Sequence, residues 1–442
     1  MTISPFEERY ATEMNTVFDE ENKLRRWMDV EIALAHVHAE LGNIPKDAAK
    51  KIENAAAKVK LSRVKEIEQE IHHDLMAMVK ALSEQAGDAG KYVHLGATSY
   101  DIEDTALALI FKDAIAIIEK NLQQLSSVLK HLAKKHKKTI CVGRTHGQHA
   151  VPTTYGMKFA LYYQEAKRNL ERLNEIKKRV LVGKMNGAVG TMATFSKHGM
   201  EIQNTVMKRL GIAADRITNQ VVQRDRHAEL ISNIALIAAM LEKIAKEIRN
   251  LQRTEIAEIA EPFSSKQVGS STMPHKRNPH KSERVCSLAR VVRANVAIAM
   301  ENIALEHERD LTNSANERIV FSESFIACDY MLVEMKKILE GLEFFEDNIE
   351  RNLELTKGAI MAERLMIVLT NAGMGRQDAH EFVRKLAIEA KDKNKHLKDV
   401  AKEKIKQLSK NNQINEKELD DVFNYATYVG EAEKIVDDAI DD

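Results

Sequence analysis

Three short segments of this 442-residue chain gather side chains that helix packing does not require. Gly269-Ser270-Ser271-Thr272-Met273-Pro274-His275-Lys276-Arg277-Asn278-Pro279 sets two adjacent hydroxyls beside Lys, Arg and Asn. Such donors can hold a carboxylate and stabilise negative charge as it develops. A plain interhelical loop is the competing reading, because loops use Ser, Asn and Pro freely. Gly143-Arg144-Thr145-His146-Gly147-Gln148-His149-Ala150-Val151-Pro152 holds two imidazoles, one guanidinium and one carboxamide. One of these histidines can serve as a general acid or base near neutral pH; the alternative is a hydrogen-bonded packing role. His94-Leu95-Gly96-Ala97-Thr98-Ser99-Tyr100-Asp101 precedes a long helical pattern. It reads as an anion site at a helix start or as an N-cap from Ser99 or Asp101, and both can hold. Arg9-Tyr10, His72-His73-Asp74, the run Gln220 to His227 and the stretch from His307 to Arg318 are further polar sets. Taken singly, each is an ordinary surface or capping feature.

Long helices must position these segments. Apolar residues recur at Leu230, Ile234, Ile237, Leu241, Ile244, Ile248 and Leu251, a heptad seam. It predicts a helix over about 225–260, about 54 Å long at 1.5 Å per residue. Leu107, Phe111, Ala114, Ile118, Leu122, Leu125, Leu129 and Leu132 mark a second, over about 105–135. Others are expected over about 154–182, 282–307 and 316–346. Proline breaks helices, and of the six prolines three fall at Pro262, Pro274 and Pro279, around the serine-rich segment. The fold expected is all-α with three helical domains: an N-terminal domain (1–103), a central long-helix bundle (104–350) and a C-terminal helical domain (351–442). The run Lys134 to Lys138 is expected to be a solvated helix end, with a polyanion patch as the alternative, and Asp437 to Asp442 a polar tail.

Composition narrows the chemistry. Lys+Arg and Asp+Glu both number 66, so no net basic excess points to nucleic acid. No apolar run is long enough to span a membrane, and the start lacks a secretory pattern. Cys141, Cys286 and Cys328 are few and scattered, which suggests a reducing, cytoplasmic setting. His72 and His73 are adjacent rather than four apart, and no HExxH, paired CxxC, GxGxxG or P-loop occurs, so neither a metal nor a nucleotide cofactor is expected.

The segment GSSTMPHKRNP resembles the signature loop of the fumarase/aspartase superfamily, whose members eliminate fumarate or a relative. Argininosuccinate lyases and 3-carboxymuconate cycloisomerases carry similar loops. The combination of Arg9-Tyr10, His73-Asp74, GRTHGQHA, QRDRH and HERDLTNSANER is similar to the adenylosuccinate lyase family within it, over nearly the whole chain. The resemblance implies β-elimination of fumarate from adenylosuccinate, giving AMP, and from its carboxamide ribotide analogue SAICAR, giving AICAR, with no cofactor. It implies Ser270 as the base at Cβ and His146 as the acid at the departing nitrogen. His73 joins the catalytic set, and Glu283 would orient a catalytic histidine. Lys276 and Asn278 would bind the succinyl carboxylates. Arg9, Tyr10, Arg309, Ser314 and Arg318 would hold the nucleotide, with His94 near its phosphate. His72, Asp74, Thr98, Ser99 and Gln220 would line the substrate. The chain departs from the family pattern at His72, where many relatives carry Arg, at Asn313 and Asn316, and at Met361-Ala362-Glu363. The resemblance also implies a cytoplasmic homotetramer whose active sites each draw on three subunits, and a loop over about 262–280 that closes on substrate.

Overall fold

A computed structural model describes residues 4–264, 266, 268–406 and 414–441. Ser265 and Gln267 of the expected closing loop, and Asp442 of the acidic ending, lie outside them. The N-terminal helices are α1 (Asn15–Phe18), α2 (Glu20–Glu40), α3 (Lys46–Ala56), α4 (Leu61–Ile71) and α5 (Asp74–Ala86). Then come α6 (Ser99–Lys135), the strands β1 (Ile140–Thr145) and β2 (Gln148–Thr154), α7 (Tyr155–Val180), β3 (Val182–Gly183), α8 (Gly199–Leu210) and β4 (Ala213–Ala214). They are followed by α9 (Asp225–Leu251), β5 (Ile259–Ala260), α10 (His280–Glu301), α11 (Ser314–Glu340) and β6 (Glu343–Phe344). The chain ends with α12 (Glu346–Glu354), α13 (Ala362–Asn371), α14 (Arg376–Asp392), α15 (Leu397–Ile405), α16 (Glu416–Val422) and α17 (Ala432–Ile440). The fold is all-α, with three two-stranded pieces among the described residues.

The chain divides into two compact units. One comprises Met1–Gln123, Arg168–Glu242 and Val285–Glu334; the other comprises Gln124–Lys167, Lys243–Arg284 and Met335–Asp442. In the first unit, α2, α3, α5 and α8 pack around Leu34, Ile52, Leu75, Leu82 and Ile202. There Phe111 of α6 meets Phe321 of α11 edge-on, with ring centres 5.1 Å apart. In the second unit, α13 to α16 enclose Leu365, Leu369, Leu397 and Ala401.

The two heptad seams are buried almost throughout, from Phe111 to Leu132 and from Leu230 to Leu251. Helix ends differ from expectation. The helix α9 stops at Leu251, not near 260. Beyond it the carbonyls of Ile256 and Ala257 accept from Asn352 (2.8 Å) and Asn348 (2.9 Å), and Ile259 pairs with Phe344. Long-range bonds thus outbid continued helix. The helices α10 and α11 likewise end earlier than expected, at Glu301 and Glu340. The acidic ending is no loose tail: residues 432–440 form α17, whose Asp437 lies 2.6 Å from Lys137. The lysine run is therefore partly paired rather than simply solvated.

Candidate active site

His146 sits at the tip of a β-hairpin, not in a plain helix joint. In β1 and β2, Thr145 faces Gln148, leaving His146 and Gly147 as a two-residue turn. Both have positive φ (54° and 71°), the type I′ geometry whose twist suits a hairpin. The ladder shifts register between Val142 and Arg144; a side chain on Gly143 would press within 2.8 Å of the Val151 carbonyl. The hairpin base is tied down by Glu258, which is fully buried. Its carboxylate accepts from Arg144 Nη2 (2.5 Å), Tyr155 Oη (2.5 Å) and Asn352 Nδ2 (2.9 Å). His146 itself is exposed. Burial, and then the Arg144 charge, hold His149 below its ordinary value.

The serine-rich loop belongs to the same unit. Ser270 Oγ accepts from the backbone N–H of Met273 (3.1 Å) and Thr272 (3.4 Å). Asn278 Nδ2 donates to the Gly269 carbonyl (2.8 Å), closing the loop on itself. Gly269 has to be glycine, because a Cβ there would run into the Lys276 carbonyl. Lys276 is exposed, as is Glu283 in the first turn of α10. Among the described residues, the side chains of His146, Lys276 and Glu283 show no hydrogen bond or ion pair within this single chain. Amide donors aimed at a hydroxyl oxygen favour its deprotonated form, and two are in place at Ser270.

The expected nucleotide residues fall in the other unit. Asp74 opens α5, and its Oδ2 lies 2.6 Å from Arg318 Nη2. Burial alone would raise the Asp74 carboxyl, but the Arg318 hydrogen bond and charge hold it below the usual range. Arg309 stacks on the Tyr100 ring, 3.5 Å from its centre, and donates through Nη1 to Gln220 Oε1 (3.0 Å). Its Nε and Nη2 are buried with no partner among the described residues. Buried guanidinium donors left unpaired are costly, and their natural complement is an anion. Ser314 and Arg318, one helical turn apart on α11, line a cavity of about 180 Å³ with Trp27, Tyr100, Glu103 and Arg224. Thr98 and Ser99 lie at the start of α6. There the buried Asp101 accepts the Thr98 N–H (2.9 Å) and pairs with the buried Lys184. His94 Nδ1 is 2.6 Å from Glu31 Oε1.

Other expected members are less engaged. Arg9 is exposed, and Tyr10 packs edge-on against Tyr330, with ring centres 5.1 Å apart. His72 and His73 are exposed. His72 is the left-handed cap of α4, and His73 Nδ1 accepts from the Met76 N–H (3.4 Å) at the start of α5. Sequence reasoning missed Tyr100 and Glu103. Tyr100 stood inside a segment already singled out; Glu103 gave no local signal. Burial, with Asp74 and Asp104 nearby, pushes Glu103 up to about 8. Burial and the charges of Glu103 and Asp104 push Tyr100 up to about 12. Among the described residues no cluster could hold a metal, and no helix is long and apolar enough to cross a membrane.

Solved structures of similar fold span several chemistries. A 3-carboxy-cis,cis-muconate lactonizing enzyme from Pseudomonas putida superposes with a TM-score of 0.90 at 32% identity, covering 99% of this chain and 98% of that one. A fumarate lyase from a Mesorhizobium species gives 0.89 at 31%, covering 98% of both. Fold alone therefore does not choose the reaction. Sequence does. Residues 7–294 match a family model described as Lyase, and residues 358–439 one described as Adenylosuccinate lyase C-terminus. The adenylosuccinate lyase of Pyrococcus horikoshii is 57% identical, covering all of this chain and 98% of that protein. That of Methanocaldococcus jannaschii is 51% identical, covering all of this chain and 96% of its own length. With similarity of this extent running from the Arg9-Tyr10 turn through the terminal helices, the chain belongs to the adenylosuccinate lyase family.

Proposed function

We propose that the chain cleaves adenylosuccinate to AMP and fumarate, and SAICAR to AICAR and fumarate, in purine nucleotide biosynthesis. Family membership makes it a carbon–nitrogen lyase. Ser270 takes the Cβ proton, and the electron pair moves onto the neighbouring carboxylate. Lys276, Asn278 and loop amides stabilise that charge. The C–N bond then breaks as the Cα=Cβ bond forms, and His146 supplies the proton that makes the nitrogen a viable leaving group. His73 joins the catalytic set, and Glu283 orients a histidine. Arg9, Tyr10, His72, Asp74, His94, Thr98, Ser99, Gln220, Arg309, Ser314 and Arg318 take the nucleotide and line the substrate.

Within the site, the observation that carries this reading is Arg309: a half-buried guanidinium braced by Tyr100 and Gln220, with Nε and Nη2 uncommitted among the described residues. That suits a phosphate. The two amide donors on Ser270 Oγ support its role, since a free hydroxyl is far too weak an acid to ionise near neutral pH. The reading includes a cytoplasmic homotetramer with active sites shared among subunits, three domains at 1–103, 104–350 and 351–442, closure of the loop near 262–280 over substrate, no cofactor, and no nucleic-acid or membrane partner.

The test incubates the purified protein with adenylosuccinate, argininosuccinate and carboxymuconate, following fumarate or lactone. Fumarate from adenylosuccinate is expected. Fumarate from argininosuccinate alone would overturn the choice of substrate, and no product from any would favour a non-catalytic helical scaffold. Mixing Ser270→Ala with His146→Ala protein should restore part of the activity; no recovery after proven subunit exchange would end the shared-site idea.

A further inference from the structure

Glu31 of α2 is only 1% exposed, yet it spends both carboxylate oxygens on one residue. Oε1 lies 2.6 Å from His94 Nδ1, and Oε2 accepts the His94 backbone N–H at 3.0 Å. His94 is held at φ 63°, a left-handed backbone that costs a non-glycine residue about 1–2 kcal/mol. A buried carboxylate is also expensive unless it is paired and hydrogen-bonded. Two unfavourable features locked together point to a use beyond packing. With Nδ1 committed to Glu31, Nε2 is the ring nitrogen left without a hydrogen bond among the described residues.

We propose that Glu31 is a positioning residue for anion binding: it fixes the left-handed pose of His94 and, by accepting at Nδ1, favours a ring that offers Nε2–H to the phosphate of the nucleotide. This rests on the reading that His94 lies beside that phosphate. The surrounding charges agree with it. Burial works against a charged His94, but the Glu31 hydrogen bond and charge, aided by Asp101, hold the ring above its ordinary value. Asp101, at the start of α6, is itself paired with Lys184. His38, also on α2, donates through Nε2 to the Leu95 carbonyl (2.9 Å), and burial holds it below its ordinary value, so it adds no competing charge at neutral pH. Among the described residues, Glu31 is thus the one carboxylate bonded to the His94 ring.

AMP, which retains the phosphate, is the probe. Its dissociation constant is measured by calorimetry from about pH 6 to about pH 9, across the imidazole range. Wild type, Glu31→Gln, Glu31→Asp and His94→Asn are compared, and the His94 ring is followed by NMR, identified by its loss in His94→Asn. Wild-type affinity should fall as the pH rises through the raised His94 value. In Glu31→Gln the ring should titrate lower, AMP should bind roughly tenfold more weakly at neutral pH, and the alkaline fall should begin earlier, because removing an adjacent opposite charge moves a pKa by about one unit or more. Glu31→Asp keeps the charge and should recover much of the range; it carries the test if Glu31→Gln does not fold. Unchanged titration and unchanged AMP affinity in the Gln variant would overturn the proposal, as would wild-type AMP affinity that His94→Asn does not alter. Fumarate release is measured alongside. Glu31-dependent AMP binding without any fumarate release would support this assignment while counting against the lyase reading.

Discussion

Acidification should destabilise this protein through His227. Its ring is buried at the start of α9, edge-on to Phe111 (5.3 Å between centres) and Phe321 (5.4 Å), with Nδ1 unpartnered among the described residues. Burial, followed by the Arg224 charge, pushes it down to about 3. The sign follows from proton binding: below the unfolded value, near 6.5, the unfolded chain takes up a proton that the folded chain refuses, so stability falls with pH down to about 3. From pH 7 to pH 5 the loss from this one group is about 2 kcal/mol, given about 1.4 kcal/mol per pH unit once titration is complete. Other histidines add to the acid response, so the informative quantity is the difference from His227→Phe, which keeps an aromatic ring among the same neighbours. Urea unfolding of both proteins, at one concentration and at both pH values, should show a gap that widens in favour of the variant by about 2 kcal/mol at the lower pH. Parallel pH dependences would refute the claim that His227 is buried neutral.

Two further outcomes are expected. Arg309→Lys keeps a charge but loses the planar fork and much of the stacking on Tyr100; KM for adenylosuccinate should rise by roughly tenfold or more with little change in unfolding midpoint, and an unaltered KM would remove Arg309 from the nucleotide site. Glu258→Ala strips the partner from Arg144, Tyr155 and Asn352 at the hairpin base and should cost about 3–5 kcal/mol in denaturant unfolding; a loss under about 1 kcal/mol would mean the cluster does not hold the hairpin.

What the sequence made legible was whatever local periodicity or spacing encodes. The seam from Leu230 to Leu251 could be read as one buried helical face because every seam residue repeats a single spatial relation. The place where α9 stops could not, because Ile256 and Ala257 are captured by Asn352 and Asn348, nearly a hundred residues onward. The hairpin carrying His146 escaped notice for a similar reason. Its turn is His-Gly rather than the more telling Asn-Gly, and its anchor, Glu258, is remote in sequence. The QRDRH run shows the same limit. Arg224 is bound by Asp104 and Glu317 in the interior, and His227 is a core residue, neither of which spacing reveals. The serine-rich loop was visible because its polar residues are contiguous; that Asn278 fastens the loop to Gly269 was not.

Three of the histidines discussed above, His72, His94 and His146, share a left-handed backbone. Glycine would occupy each position with less strain. A library of variants enriched only for heat resistance would therefore drift toward glycine at 72, 94 and 146, gaining robustness while erasing imidazoles. Any effort to toughen this scaffold for use as a catalyst needs turnover in the selection from its first round, with these three positions held fixed.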